Sequence, residues 1–340
     1  MNAFSRLPWN QQILDRLCEL EQQQKLGHAY LLQGQRGLGK ETLVRDFAAL
    51  LLCERPEQGA ECGTCKGCHL FSAGTHPDFK YIGLEESASQ IKIEQIRESR
   101  SFFANTALIG KYKILLLSPA ESLNLNAANA FLKNLEEPAP GTLLFLVSHQ
   151  PGLLLPTIRS RCQQIKFTHP EKKLALSWLE QTISKEQAIL SLALANGAPL
   201  QALVYASDER QQERRELHKR LLKLLLAEIT VSEAVKKIIE SSIDDVLEIF
   251  MLTVQELIRQ LQSQQESLKA LLSTNELQKI ADHLNATDLV SLHYFYAELL
   301  RARKANLSTA NPNMQLLLES LCYRWVKLVK ENQTMELVKL

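Results

Sequence analysis

The chain has 340 residues, 45% of them hydrophobic, which exceeds a single domain of typical size, so two or three domains with their own cores are expected. Lys and Arg number 39 against 38 Asp and Glu, and the resulting net charge of +1 argues against a broad electrostatic footprint on nucleic acid, leaving any DNA contact local or shared. No apolar run approaches the ~20 residues of a membrane span and the N-terminus lacks the basic-then-apolar order of a signal peptide, so a cytoplasmic protein with reduced cysteines and no membrane partner is expected.

Residues 10–25 carry Ile13, Leu14, Leu17 and Leu20 at helical spacing, and Gly27 closes the segment. A strand, Ala29–Gln33, then runs into Gly34, four residues, Gly39 and Lys40, with Gly37 inside the turn. That order is a phosphate-binding loop: glycines let backbone N–H groups curl around phosphate oxygens, and a lysine reaches the terminal phosphates. The next residue is Glu41, where a hydroxyl would be needed for Mg²⁺. Thr42 is a poor substitute, since one helical step turns a side chain by about 100°. The loop is therefore degenerate. The helix Lys40–Leu52 that follows should bury Leu43, Phe47, Leu50 and Leu51.

Cys53, Cys62, Cys65 and Cys68 come next in a stretch containing Pro56, Gly59, Gly63 and Gly67. Thiolates two residues apart can hold one ion when a turn brings the sulfurs together, and four complete a closed tetrahedral shell. A structural Zn²⁺ is the expected occupant, with iron–sulfur or redox chemistry as the alternatives. His69 and His76 read as ordinary loop residues.

A short strand, Asp78–Ile82, precedes a helix set by Ile91, Ile93, Ile96, Phe102 and Phe103, then a continuous apolar strand, Lys113–Leu117, of the kind buried in a parallel sheet. A hydrolysing P-loop enzyme carries acidic residues after that strand to hold Mg²⁺ and orient water. Here the positions are Ser118 and Pro119, and Glu121 reads as a solvated residue before the next helix. That helix, Leu123–Glu137, is followed by a strand, Leu143–Val147, ending in Ser148, which either senses a phosphate or makes a strand-end hydrogen bond. A short helix near Leu153–Ile158 leads to Ser160, Arg161, Cys162 and a last strand, Gln164–Phe167. Alternating elements over 27–168 predict an α/β parallel sheet with helices on both faces. Beyond Pro170 the pattern is helical, and the final helix shows Met314, Leu317, Leu318, Leu321, Trp325 and Leu328 at core spacing.

The stretches GHAYLLQGQRGLGK, NAANAFLKNLEEP and TIRSRC, with the four-cysteine insertion, resemble the AAA+ clamp-loader family of bacterial DNA polymerase III. The resemblance implies a P-loop domain over 1–168 with a zinc-binding insertion at 53–68, a small helical lid over 169–207 and an all-helical collar over 208–340. It implies a subunit of the replicative polymerase holoenzyme that assembles with motor subunits and the delta subunit in a hetero-pentameric ring and acts through it on the sliding clamp and primer–template DNA. A hydrolysing member should have Ser or Thr at Glu41, acidic residues at Ser118 and Pro119, and a lid arginine at Leu200. Their loss implies a subunit with no ATPase of its own, in which ATP is weakly bound or absent. Arg161 would then serve as an arginine finger in trans, with Arg159 in reserve. An ATP-hydrolysing motor-type subunit and, for the cysteine cluster, a nucleic-acid-binding knuckle are the other readings.

Overall fold

The apolar runs that begin at Ala29, Ile114 and Leu143 come together in one sheet in a computed structural model, which describes residues 6–57, 59–85, 88–99, 102–103, 105–206, 208–226, 228–239, 243–262, 288–306 and 313–336. The expected helical stretch beyond 208 thus lies partly outside the described residues. The chain divides into two compact units, Met1–Leu203 and Val204–Leu340.

The elements of the first unit are α1 (Gln11–Gln22), β1 (Ala29–Gln33), α2 (Lys40–Leu52), α3 (Lys66–Ser72), β2 (Phe79–Ile82), α4 (Ile93–Glu98), β3 (Lys113–Leu117), α5 (Leu125–Glu136), β4 (Thr142–Ser148), α6 (Pro156–Arg161), β5 (Gln163–Lys166), α7 (Lys172–Leu179), α8 (Lys185–Leu194) and the start of α9 (Pro199–Ala206), whose last three residues fall in the second. The five strands among the described residues are all parallel, in the order β2-β3-β4-β1-β5, with crossovers between non-consecutive strands as the expected α/β sheet requires. The central β3 and β4 are buried along their whole length, which is why they read as unbroken apolar runs. Side chains alternate across the sheet: Tyr30 and Phe145 stack on each other and Phe47 of α2 meets Phe145 edge-on, while Leu31, Leu115 and Leu144 face Ile96, Phe131 and Ile158. The register pairs Gln33 with both Ser148 and Lys166, so the loops after β1, β4 and β5 open at one carboxyl edge. Ligands of doubly wound sheets bind at that edge.

Several local expectations need correction. In α2, Leu43 and Phe47 are buried, but the apolar side continues through Val44, Ala48 and Leu52, with Leu50 and Leu51 only half-buried, because α2 packs on α1 and α3 as well as on the sheet. Helix α4 starts at Ile93; Ile91 lies outside it in a parallel bridge to Leu123. Within the cysteine stretch the last C-x2-C pair is joined by the first turn of a helix, α3, with Cys65 as its N-cap.

The second unit contains α10 (Asp208–Leu225), α11 (Val231–Ile238), α12 (Ile243–Gln262), α13 (Asp288–Asn306) and α14 (Met314–Glu336). Trp325 is fully buried between Phe250 and Phe295, with ring centroids at 5.5 and 5.4 Å, and its indole N–H donates to the Leu221 carbonyl at 3.1 Å. Leu318, Leu321 and Trp325 form the core side of α14 as the spacing predicts, and Cys322 joins them.

Candidate functional site

Lys40 is almost fully buried, and its ammonium donates to two carbonyls of its own loop, Gly34 and Gln35, both at 2.6 Å. Burial draws its pKa down to about 8, with Arg36 acting the same way and Glu121 and Glu41 opposing. The positive charge that would meet phosphate is thus held by the protein. Beside it, the Glu41 carboxylate accepts a hydrogen bond from the Ser118 hydroxyl, so two positions that depart from a hydrolysing motif meet each other. Pro119 follows at the strand end and offers no ligand atom from its side chain.

Glu121 is not a solvated residue. One of its carboxylate oxygens accepts the backbone N–H groups of His149 and Gln150 at 2.9 and 3.2 Å, tying the end of β3 to the end of β4. Its other oxygen, the Ser148 hydroxyl and His149 Nδ1 are buried without a partner among the described residues. Of the two readings of Ser148, a strand-end bond from its hydroxyl is not seen among the described residues. Burial pulls His149 down to about 3, helped by the charges of Lys40 and Arg36, so its ring is neutral.

The loop is also covered from above. Leu200, at the start of α9, donates its backbone N–H to the Gly37 carbonyl at 3.1 Å, and Gln35 donates to the Ala195 carbonyl at 2.9 Å while bonding His169 at 2.8 Å. Gly37 has φ +84°, and a Cβ there would lie 2.6 Å from Gln201 Cβ, so only glycine admits this approach. From below, the Trp9 indole and the Asn10 amide both donate to the Leu38 carbonyl at 3.0 Å. None of these braces was foreseen; the Pro8–Trp9 step before α1 is the only local signal among them.

The four cysteines converge, with all four sulfurs within 4.8 Å of one another. Cys53 and Cys65 are buried and their sulfurs stand 3.9 Å apart, against about 3.8 Å for two sulfurs of a tetrahedral zinc with ~2.3 Å bonds. Backbone N–H groups of Cys62 and Cys68 donate to Cys53 and Cys65 sulfurs at 3.3 Å, so the donors are oriented as thiolates require. Cys65 caps α3, which places Cys68 one turn on. Gly67 sits where a Cβ would be 2.3 Å from the Leu52 carbonyl, and its N–H is taken by Glu54 at 3.0 Å. The set fits a closed metal site. His69 lies in α3 and His76 is buried, its Nδ1 accepting from the Asp78 N–H; neither belongs to the cluster.

Arg161 ends α6 on the surface, where its guanidinium pairs with Glu136 at 2.6 Å and donates to the Thr157 carbonyl at 3.0 Å. Arg159 is exposed on the same short helix.

Two family descriptions match the sequence: "DNA polymerase III, delta subunit" over residues 9–171 and "DNA polymerase III, delta subunit, C terminal" over residues 208–327. The DNA polymerase III subunit delta' of Pseudomonas aeruginosa is 36% identical over 325 residues, covering 94% of this chain and 97% of that protein. The subunit delta' of Escherichia coli is 34% identical over 212 residues, covering 62% of this chain and 64% of that protein. Among solved structures, a gamma-subunit-related protein of DNA polymerase III from Thermotoga maritima is similar with a TM-score of 0.45 and 17% identity, covering 92% of this chain and 99% of that one. The chain belongs to the family of DNA polymerase III delta-prime subunits.

Proposed function

We propose that this chain is a non-hydrolysing component of a cytoplasmic clamp loader, which places the sliding clamp on primed DNA, and that it supplies Arg161 to ATP held by a neighbouring motor subunit. The observation that carries the reading is the closed phosphate loop: Lys40 is spent on the carbonyls of Gly34 and Gln35. With Glu41 bonded to Ser118 and no acid at Pro119, the loop lacks both a Mg²⁺ ligand set of the usual kind and a group to orient water. Nucleotide entry would have to displace the contacts of Leu200 and Gln201, so ATP binding here is weak or absent.

In this reading residues 169–207 act as a lid locked on the loop, and 208–340 as a collar that joins the motor and delta subunits in a ring of five. The cysteine cluster holds a structural Zn²⁺, since four thiolates leave no open coordination position. An arginine at a subunit rim stabilises charge that develops on the transferred phosphoryl group. Such fingers are worth roughly 10³–10⁵ in rate.

The test is a reconstituted complex carrying Lys40→Ala or Arg161→Ala in this chain. Expected are normal clamp loading for Lys40→Ala and, for Arg161→Ala, normal assembly with DNA-stimulated hydrolysis at the adjacent site lowered roughly 10³-fold. Loss of loading in Lys40→Ala, or unchanged hydrolysis in Arg161→Ala, overturns the corresponding part.

A further inference from the structure

Resting on the trans-finger reading of Arg161, we infer that Glu136 is its positioning residue: the last residue of α5 fixes the guanidinium at the end of α6 so that its remaining donors face a neighbour's phosphate. Glu136 Oε1 lies 2.6 Å from Arg161 Nη2, and Arg161 Nη1 donates to the Thr157 carbonyl at 3.0 Å. A guanidinium has five N–H donors, and two are engaged from behind by these bonds. Three remain in a plane whose orientation is set, the geometry that recognises phosphate oxygens.

The pair does little for stability, because both side chains are substantially exposed, at 38% and 49%, and exposed ion pairs contribute little. Its value is orientational. A free arginine loses much rotamer entropy on docking to an anion, and holding the fork beforehand removes most of that cost. The framework beneath is rigid: α5 packs on α6, and Phe131, Leu135 and Ile158 are buried in the same core cluster.

The alternative role is a latch that competes with phosphate for Arg161, and it has the opposite kinetic sign. The experiment uses the full complex with the other motor sites inactivated, so that hydrolysis reports only the site facing this chain. Glu136→Ala should lower kcat about tenfold, the scale of one freed arginine's rotamer entropy, with KM for ATP unchanged. Glu136→Gln, which keeps an acceptor oxygen, should recover most of the rate. Adding Glu136→Ala to Arg161→Ala should cause no further loss. A faster Glu136→Ala enzyme, or an unchanged one beside a slow Arg161→Ala, overturns the positioning role alone. An unchanged Arg161→Ala removes the finger and the inference together. Should Glu136→Ala impair assembly, kcat is taken per assembled complex: an Ala variant slow only in proportion to lost complex also overturns it.

Discussion

The carboxylate of Glu41, at the start of α2, is bonded to the hydroxyl of Ser118, at the end of β3. A hydrolysing P-loop site places a hydroxyl on the helix and a carboxylate on the strand, with Mg²⁺ near both. Here the two chemical types are exchanged. The acid now stands beside the phosphate position, and one of its oxygens accepts from a protein donor. Ser118→Ala should therefore cost about 1.5–3 kcal/mol of stability, the scale of a hydrogen bond to a charged group. Chemical denaturation of the full chain checks this, and neither the parent nor the variant should release phosphate from ATP.

Lys40→Ala leaves the carbonyls of Gly34 and Gln35 without their donor. It should lower the midpoint of thermal unfolding by several degrees, corresponding to about 1–3 kcal/mol for buried acceptors left unpaired. An unchanged melting temperature would mean that the lysine is not part of the loop's framework.

Gly37→Ala forces a Cβ against Gln201 at 2.6 Å and imposes an unfavourable φ of +84°. The expected outcome is release of the start of α9 from the loop, at a cost of about 1–3 kcal/mol. Hydrogen exchange should show the Leu200 amide losing protection while amides of β3 and β4 keep theirs.

For the cysteine cluster, elemental analysis of freshly purified protein should find about one zinc per chain. Cys65→Ser removes a buried thiolate while its hydroxyl can still cap α3, so metal content should fall and α3 should lose protection through loss of the metal alone, while the central sheet stays intact. Protein with neither zinc nor another bound metal would dismiss the site.

Asp46 is buried, one carboxylate oxygen has no partner among the described residues, and its pKa is raised to about 6, first by burial and then by Glu61. A carboxyl with a folded-state pKa above its unfolded value of 3.8 favours folding most at low pH, and that contribution is lost as pH rises toward 6. Asp46→Asn should accordingly be more stable than the parent at pH 7–8, by about 1–2 kcal/mol, with the difference shrinking as pH falls from 6 to 4. Denaturation curves of both proteins across that range give the comparison; a constant difference would refute it.

The sequence by itself determined what is local. β1, α2 and β3 begin and end where their apolar runs and the flanking glycines dictate, because period and turn chemistry act within one element. Cysteine spacing named all four sulfurs of the cluster, and the absent hydroxyl and acids were legible as plain residue identities. Tertiary structure decided the partners. Glu41 meets Ser118 across 77 positions, Glu121 reaches the amides after β4 instead of solvent, and Leu200 lands on Gly37. Those pairings follow from parallel register and helix packing, which bring one carboxyl edge together from distant segments and leave no periodic trace in any of them. Glu136 beside Arg161 is the same case: each ends its own helix, and only the packing of α5 on α6 makes them neighbours.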